Sequence, residues 1–255
     1  MNSPVSRRRF LARSVALLGG VILGGCDRLS HSQWFTRMLG VAESLNRAAR
    51  NATNSRLSMA QEFSEADLSP TFRSNGTSDP SNPEYQKLAA AGFADYRLEI
   101  GGLVEVPLSL SLQDIRALPS RTQITRHDCV EGWSAIGKWK GARLSALLQQ
   151  ARPSPTAKYV VFYCADSLEE AGDPYYESID MDDANHEQTL LAYELNGSPL
   201  PIANGAPLRL RVERQLGYKM AKYIMRIELV AALDAIGGGN GGYWEDQGYQ
   251  WYAGI

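Results

Sequence analysis

Apolar residues recur along this chain with two periods, and the switches between them lay out its elements. Tyr96, Leu98 and Ile100 alternate with polar positions, Gly101-Gly102 breaks the run, and Val104 and Val106 resume it. A strand, a turn and a second strand are expected there. Ser111 with Asp114 three residues on predicts a helix N-cap; Ile115 and Leu118 supply the apolar face, and Pro119 ends it. Residues 123–129 read as a strand, and Leu144, Leu147 and Leu148 as one side of a helix. Residues 159–164 and 189–195 read as strands, the second closed by the hairpin signal Asn196-Gly197. Leu208, Leu210 and Val212, then residues 224–230, give two more. Strands interleaved with short helices and hairpins predict a mixed α+β domain with curved sheets, not regular βαβ units. No internal repeat is visible.

Ahead of this body, Trp34, Met38, Val41, Leu45 and Ala48/Ala49 recur at helical spacing, so residues 31–52 predict an amphipathic helix. Residues 51–58 read as a linker, and residues 66–83, with Pro70, Pro80 and Pro83, as loop. The first twenty-five residues read as an address. Ser6-Arg7-Arg8-Arg9-Phe10-Leu11 matches the twin-arginine export signature, followed by an apolar stretch too short to span a bilayer. Export of an already folded chain suits a protein that acquires a cofactor inside the cell. Leu23-Gly24-Gly25-Cys26 also reads as a lipobox, so a lipid on Cys26 would hold the protein at a membrane without a spanning helix. The expected organisation is a signal over 1–25, a helix and linker over 26–69, and a domain over 70–255.

Composition narrows the classes. The 255 residues are 44% apolar and 21% charged, enough to bury one sizeable core. Removing the signal takes Arg7, Arg8, Arg9 and Arg13, leaving 22 basic against 28 acidic residues. That balance gives no reason to propose nucleic acid as a partner.

The candidate chemistry centres on Arg126-His127-Asp128-Cys129-Val130-Glu131-Gly132-Trp133-Ser134, which puts a thiol at a strand end before a turn. With Cys26 in the signal, Cys129 and Cys164 remain. Outside the cytoplasm a Cys129–Cys164 disulfide in a non-catalytic, ligand-binding lipoprotein is one reading. Zinc held by Cys129, Cys164, His127 and His186 is another, without the close ligand pairs that make such sites recognisable. Gly237-Gly238-Gly239-Asn240-Gly241-Gly242 spells G-x-G-x-x-G but lacks a strand before it and a helix after it. It is expected to open a C-terminal lid carrying Tyr243, Trp244, Tyr249, Trp251 and Tyr252. Asp182, Asp183 and His186 suggest a helix start with a capping acid, and Tyr175-Tyr176-Glu177 a substrate mouth.

Cys-Val-Glu-Gly-Trp-Ser, then Trp-x-Gly and Leu-x-x-Leu-Leu, resembles the cysteine segment of the molybdopterin oxidoreductases of the sulfite oxidase type. The likeness is to their exported bacterial members, the periplasmic methionine-sulfoxide reductases among them. Asn204-Gly205-Ala206-Pro207-Leu208-Arg209 and Gly217-Tyr218-Lys219, followed by Lys222, resemble further family motifs in order. The resemblance implies a mixed-sheet molybdopterin-binding fold over about residues 70–255, without the family's C-terminal dimerisation domain and monomeric. It implies Cys129 as the protein's ligand to molybdenum, and Asn82, Tyr85, Cys164, Asn204, Arg209, Gly217, Tyr218 and Lys219 around the molybdenum-molybdopterin. In chemical terms Arg209 suits a phosphate bidentately, Lys219 adds a point charge, and Asn204 reads the pterin ring. Arg126 and His127, beside the metal ligand, would attract an anionic substrate; pairing of these charges with Asp128 or Glu131 competes with that role. The implied reaction is two-electron oxygen-atom transfer on a small sulfur oxo-compound, by sulfite oxidation or sulfoxide reduction. Electrons would pass to or from a separate cytochrome, a membrane b-type cytochrome or a quinol-linked protein. The implied location is the periplasm.

Overall fold

The computed structural model describes residues 32, 34, 35, 38, 41, 58–168 and 172–255. The export signature, the apolar stretch behind it, Cys26 and most of the expected N-terminal helix lie outside the described residues. Trp34, Phe35, Met38 and Val41 are helical. The chain divides into two compact units, Met1–Arg56 and Leu57–Ile255, and the second carries the cysteine motif.

That second unit holds two five-stranded sheets. The first has the order β2–β1–β10–β5–β6, from β1 (Arg97–Gly102), β2 (Leu108–Ser111), β5 (Tyr159–Cys164), β6 (Tyr176–Asp180) and β10 (Ile224–Val230). Only β1 and β10 run parallel in it. The second follows β3–β4–β7–β8, with β9 on β7, from β3 (Ser120–Cys129), β4 (Trp133–Arg143), β7 (Leu190–Leu195), β8 (Ser198–Pro199) and β9 (Arg209–Arg211). Five helices punctuate the strands: α1 (Pro83–Ala90), α2 (Leu112–Ala117), α3 (Leu144–Ala151), α4 (Met181–Ala184) and α5 (Tyr243–Asp246). The expected mixed α+β class is what the chain adopts.

The amphipathic pattern explains the packing. In α3, Leu144, Leu147, Leu148 and Ala151 are all buried in one cluster with Leu98, Ile100 and Ile227 of the first sheet and Leu191 and Leu210 of the second. Burying each such leucine contributes roughly 1.5–3 kcal/mol. Helix α2 carries the anticipated capping box, Asp114 N donating to Ser111 Oγ and Ser111 N to the Asp114 carboxylate. Asn196 and Gly197 both take positive φ, as a two-residue hairpin needs.

Three elements depart from expectation. Val104 and Val106 do not form a strand: Val104 makes one isolated bridge to Pro153 and Val106 is exposed. Pro107 has no N–H to give a ladder, and pairing with β1 starts after it, at Leu108. Strand β4 was not anticipated, because two glycines and two lysines interrupt its apolar alternation. Strand β6 takes in Tyr176 and Glu177 of the expected substrate mouth, while Tyr175, just before it, lines the cavity that Cys129 opens into.

Candidate active site

Strands β3 and β4 form an unbroken hairpin from Ser120↔Ala142 to Cys129↔Trp133. Its turn spans 130–132, where Gly132 takes φ +84° and its N–H donates to Cys129 O at 3.1 Å. Alternation along β3 buries Gln123, Thr125 and His127 on one face, the face of Cys129, and turns Arg126 to the other. Cys129 is half-buried and opens into a cavity of about 210 Å³.

The cavity wall is assembled from six parts of the chain. Asn75, Gly76 and Thr77 arrive on a segment that first runs along the second sheet. There Phe63 N donates to Ile124 O and Ser69 N to Ile136 O, and Phe72 packs edge-on to Trp139 at 5.0 Å. Glu131 comes from the hairpin turn, Asp166 and Leu168 follow β5, and Tyr175 precedes β6. Gly217, Tyr218, Met220 and Lys222 come from a 3-10 turn and its exit, and Trp244 and Tyr249 from the C-terminal segment. Gly217 has to be glycine: a Cβ there would lie 2.5 Å from the imidazole of His127.

A cationic cluster lies against this cavity. Arg209 is fully buried and donates to Asn204 O at 3.3 Å and to Asn75 Oδ1 at 3.1 Å. Lys222 donates to Asn75 O at 2.6 Å, to Ala203 O at 3.3 Å and to Thr77 O. Among the described residues neither forms an ion pair with a carboxylate. Burial, with Arg211 adding repulsion, lowers Arg209 to about 9. Burial and Arg209 lower Lys222 to about 7. Asp166 is pushed up to about 6 by burial, which outweighs the pull of Lys222. Burial also raises the Cys129 thiol, against the pull of Arg209 and Arg73.

Behind the cysteine, Arg211 grips Glu213 through two hydrogen bonds, at 2.8 and 2.6 Å, and approaches His127 Nδ1 at 3.1 Å. Arginine only donates, so Nδ1 accepts and the ring proton sits on Nε2. Burial, then Arg209, Arg211 and Lys222, hold this imidazole well below its ordinary range, hence neutral.

The structure brings together some of the expected residues and separates others. Cys129, Gly217 and Tyr218 line the cavity, and Arg209 and Asn204 adjoin Lys222 in its wall. Asn82 instead caps α1, accepting from Tyr85 N at 3.0 Å, and Tyr85 is a core residue whose hydroxyl donates to Ala206 O. The nearby asparagine on the cavity is Asn75. Cys164 ends β5 inside the main core. Lys219 is buried in an ion cluster, 2.5 Å from Glu177 Oε1 and in contact with Glu245. Arg126 is 56% exposed and pairs with Asp128 at 3.0 Å, away from the cavity. Both thiols are free, which overturns the disulfide alternative. Among the described residues no three His, Cys, Asp or Glu side chains converge as a metal site of their own. Asp183 binds Arg214 and Gln215, Asp180 caps α4, and His186 meets Ser58 O, so that cluster is structural. The sequence marks Lys222 only weakly, as one more positive charge following Gly217-Tyr218-Lys219 that could serve an anionic substrate, and it marks Asp166 not at all.

Among the described residues, three buried N–H donors near the cavity have no acceptor: Asn204 Nδ2, Arg209 Nε and His127 Nε2. Buried donors without partners are costly, and buried cations without carboxylates more so. Such a set fits an anionic group rich in acceptors, and the cysteine sulfur beside it fits a thiophilic metal. The residues present therefore suit the molybdenum-molybdopterin that the motifs imply.

Comparison with known proteins agrees. Residues 85–234 match the model of the oxidoreductase molybdopterin-binding domain. The chain is 38% identical over 249 residues to a putative protein-methionine-sulfoxide reductase subunit YedZ1 from Azospira oryzae, covering 98% of this chain and 88% of that protein. It is 41% identical over 147 residues to the protein-methionine-sulfoxide reductase catalytic subunit MsrP of Xanthomonas axonopodis pv. citri, covering 54% of this chain and 46% of that one. The MsrP of Campylobacter jejuni is 38% identical over 144 residues, covering 52% and 48%. The match thus spans about half the length of each MsrP.

Proposed function

The chain belongs to the oxidoreductase molybdopterin-binding domain family, and from that premise we propose that it reduces sulfoxides in the periplasm. As a family member it is a molybdopterin oxidoreductase. The sulfoxide substrate is supported by the names of its relatives, which are methionine-sulfoxide reductase subunits. The reaction is balanced as sulfoxide plus two electrons and two protons giving sulfide plus water; the bound cofactor supplies the oxygen-accepting metal.

The chain's own residues hold and shield that chemistry. Cys129 would hold the metal through its sulfur, as a thiolate, although burial raises the free thiol's pKa. Lys222, with Arg209 behind it, would hold the phosphate of the pterin side, and Asn75 and Asn204 would offer polar groups to its ring. Asp166, with Oδ1 buried and unpartnered among the described residues and its pKa raised to about 6, takes up and releases a proton inside the cavity around pH 6. His127 stays neutral and braces Gly217. The observation that carries this reading is the Cys129 sulfur sharing one cavity with the buried Lys222, which forms no ion pair among the described residues.

Electrons arrive one at a time from a membrane b-type cytochrome. The twin-arginine signature supports a place outside the cytoplasm, and the lipobox supports attachment to the inner membrane. Assaying the molybdenum-loaded protein with a reduced dye against methionine sulfoxide, and with an electron acceptor against sulfite, tests the direction. Turnover of the sulfoxide alone is expected. Turnover of sulfite alone would overturn it.

A further inference from the structure

Five aromatic rings touch in a continuous series: Tyr175 to Tyr243 at 5.8 Å, Tyr243 to Trp244 at 5.4 Å, Trp244 to Tyr249 at 5.2 Å, and Tyr249 to Tyr218 at 5.3 Å. Four of them, Tyr175, Tyr218, Trp244 and Tyr249, line the same cavity as Cys129. Two hydroxyls in this series are already committed to backbone, Tyr175 to Tyr218 O at 2.7 Å and Tyr218 to Gln250 O at 2.6 Å. Those two rings therefore bring chiefly apolar surface to the cavity, and Trp244 and Tyr249 add the broad faces of theirs. Met220 and Leu168 extend that soft surface. It contrasts with the remaining lining, where Asn75, Thr77, Lys222 and Asp166 are polar or charged.

Three of the five rings ride on one short segment after the glycine run, and that segment is fastened from outside the cavity. Asp246 accepts from Gly238 N at 2.7 Å, from Asn240 N at 3.0 Å and from the Tyr176 hydroxyl. Glu245 reaches inward to Lys219, which Glu177 also meets. Lys219 thus touches nothing in the cavity but fixes the helix turn that carries Trp244.

We propose that Trp244 and Tyr249, with Tyr218, are the specificity-determining wall for the alkyl arms of the substrate, and that Lys219 is a positioning residue acting on this wall through Glu245. The inference rests on the sulfoxide reading above. Polarisable sulfur and its methyl groups are attracted to aromatic faces and edges, whereas a small hydrated oxyanion gains nothing from them. The wall therefore selects a neutral organic sulfoxide over sulfite.

The test is steady-state kinetics of the loaded holoenzyme with dimethyl sulfoxide and methionine sulfoxide, with molybdenum measured in every sample. Tyr249→Ala, at a ring 41% exposed, and Trp244→Leu are expected to raise KM about tenfold. Expected alongside are kcat within about twofold of wild type and unchanged molybdenum content; Trp244→Phe should restore most of the KM. Wild-type KM in both truncations, at full loading, would overturn the wall and leave the sulfoxide reading standing. Loss of molybdenum in both would also overturn it, by making the rings part of the cofactor's own support. No sulfoxide turnover by loaded wild type would overturn the reading and the wall with it.

Discussion

Lys219 and Lys222 stand three residues apart on the same turn and its exit, both buried, and they meet opposite surroundings. Lys219 has two carboxylates, Glu177 and Glu245, and lies 5.2 Å from the Trp251 ring. Lys222 donates to backbone carbonyls and meets the Tyr223 hydroxyl at 3.5 Å, forms no ion pair among the described residues, and is repelled by Arg209 more than Asp166 attracts it. The first environment pairs its charge within the protein; the second does not, and under the proposed function an anion would complete it. A buried cation's partners, rather than its motif, thus separate a structural residue from a binding one.

The comparison can be broken most sharply at Lys219. Lys219→Met leaves two carboxylates buried without their cation and should cost about 3–5 kcal/mol of stability. Urea denaturation checks it, and a cost within experimental error would mean the cluster is not structural. At Lys222 the sign reverses. Lys222→Met removes a buried, poorly compensated charge, so the cofactor-free protein should gain about 1–2 kcal/mol while the loaded fraction falls.

Asp166 sharpens the same contrast through pH. Its folded pKa of about 6 lies above the ordinary 3.8, so its contribution to stability is fully present below pH 3.8 and is lost as pH rises through 6. Lys222, lowered from 10.5 to about 7, contributes stability above pH 10.5 that is lost as pH falls through 7. Asp166→Asn in the cofactor-free protein should therefore gain on wild type by about 1–2 kcal/mol between pH 4 and 7, read from thermal unfolding across that range. The smallest effect belongs to Arg126. Exposed and paired only with Asp128, its change to Ala should alter stability by less than about 0.5 kcal/mol and leave kcat/KM unchanged.

Much of the fold was legible because its signals are local. The Ser111 capping box, the Asn196-Gly197 hairpin and the leucines of α3 each depend on residues a few positions apart. Strand β4 was not, since its pattern breaks where Gly137 and Gly141 admit Phe72 and the backbone of β7. At the site, Cys129 and Arg209 stood out through the resemblance of their segments to the family's motifs. Asn82 and Lys219 were attractive for the same reason, but Asn82 is used as a helix cap and Lys219 as an internal counter-ion. Which of two nearby asparagines or lysines faces the cavity is decided by loop paths, and short-range spacing does not encode those.

The most direct test is the molybdenum and pterin content of wild type and Lys222→Met, each purified folded from a host that makes the cofactor. We expect one molybdenum and one pterin per wild-type chain, and most of both lost in the variant, although that variant is the more stable protein when empty. Full loading of Lys222→Met, or wild type carrying neither molybdenum nor pterin, would contradict the assignment of this cavity to the cofactor.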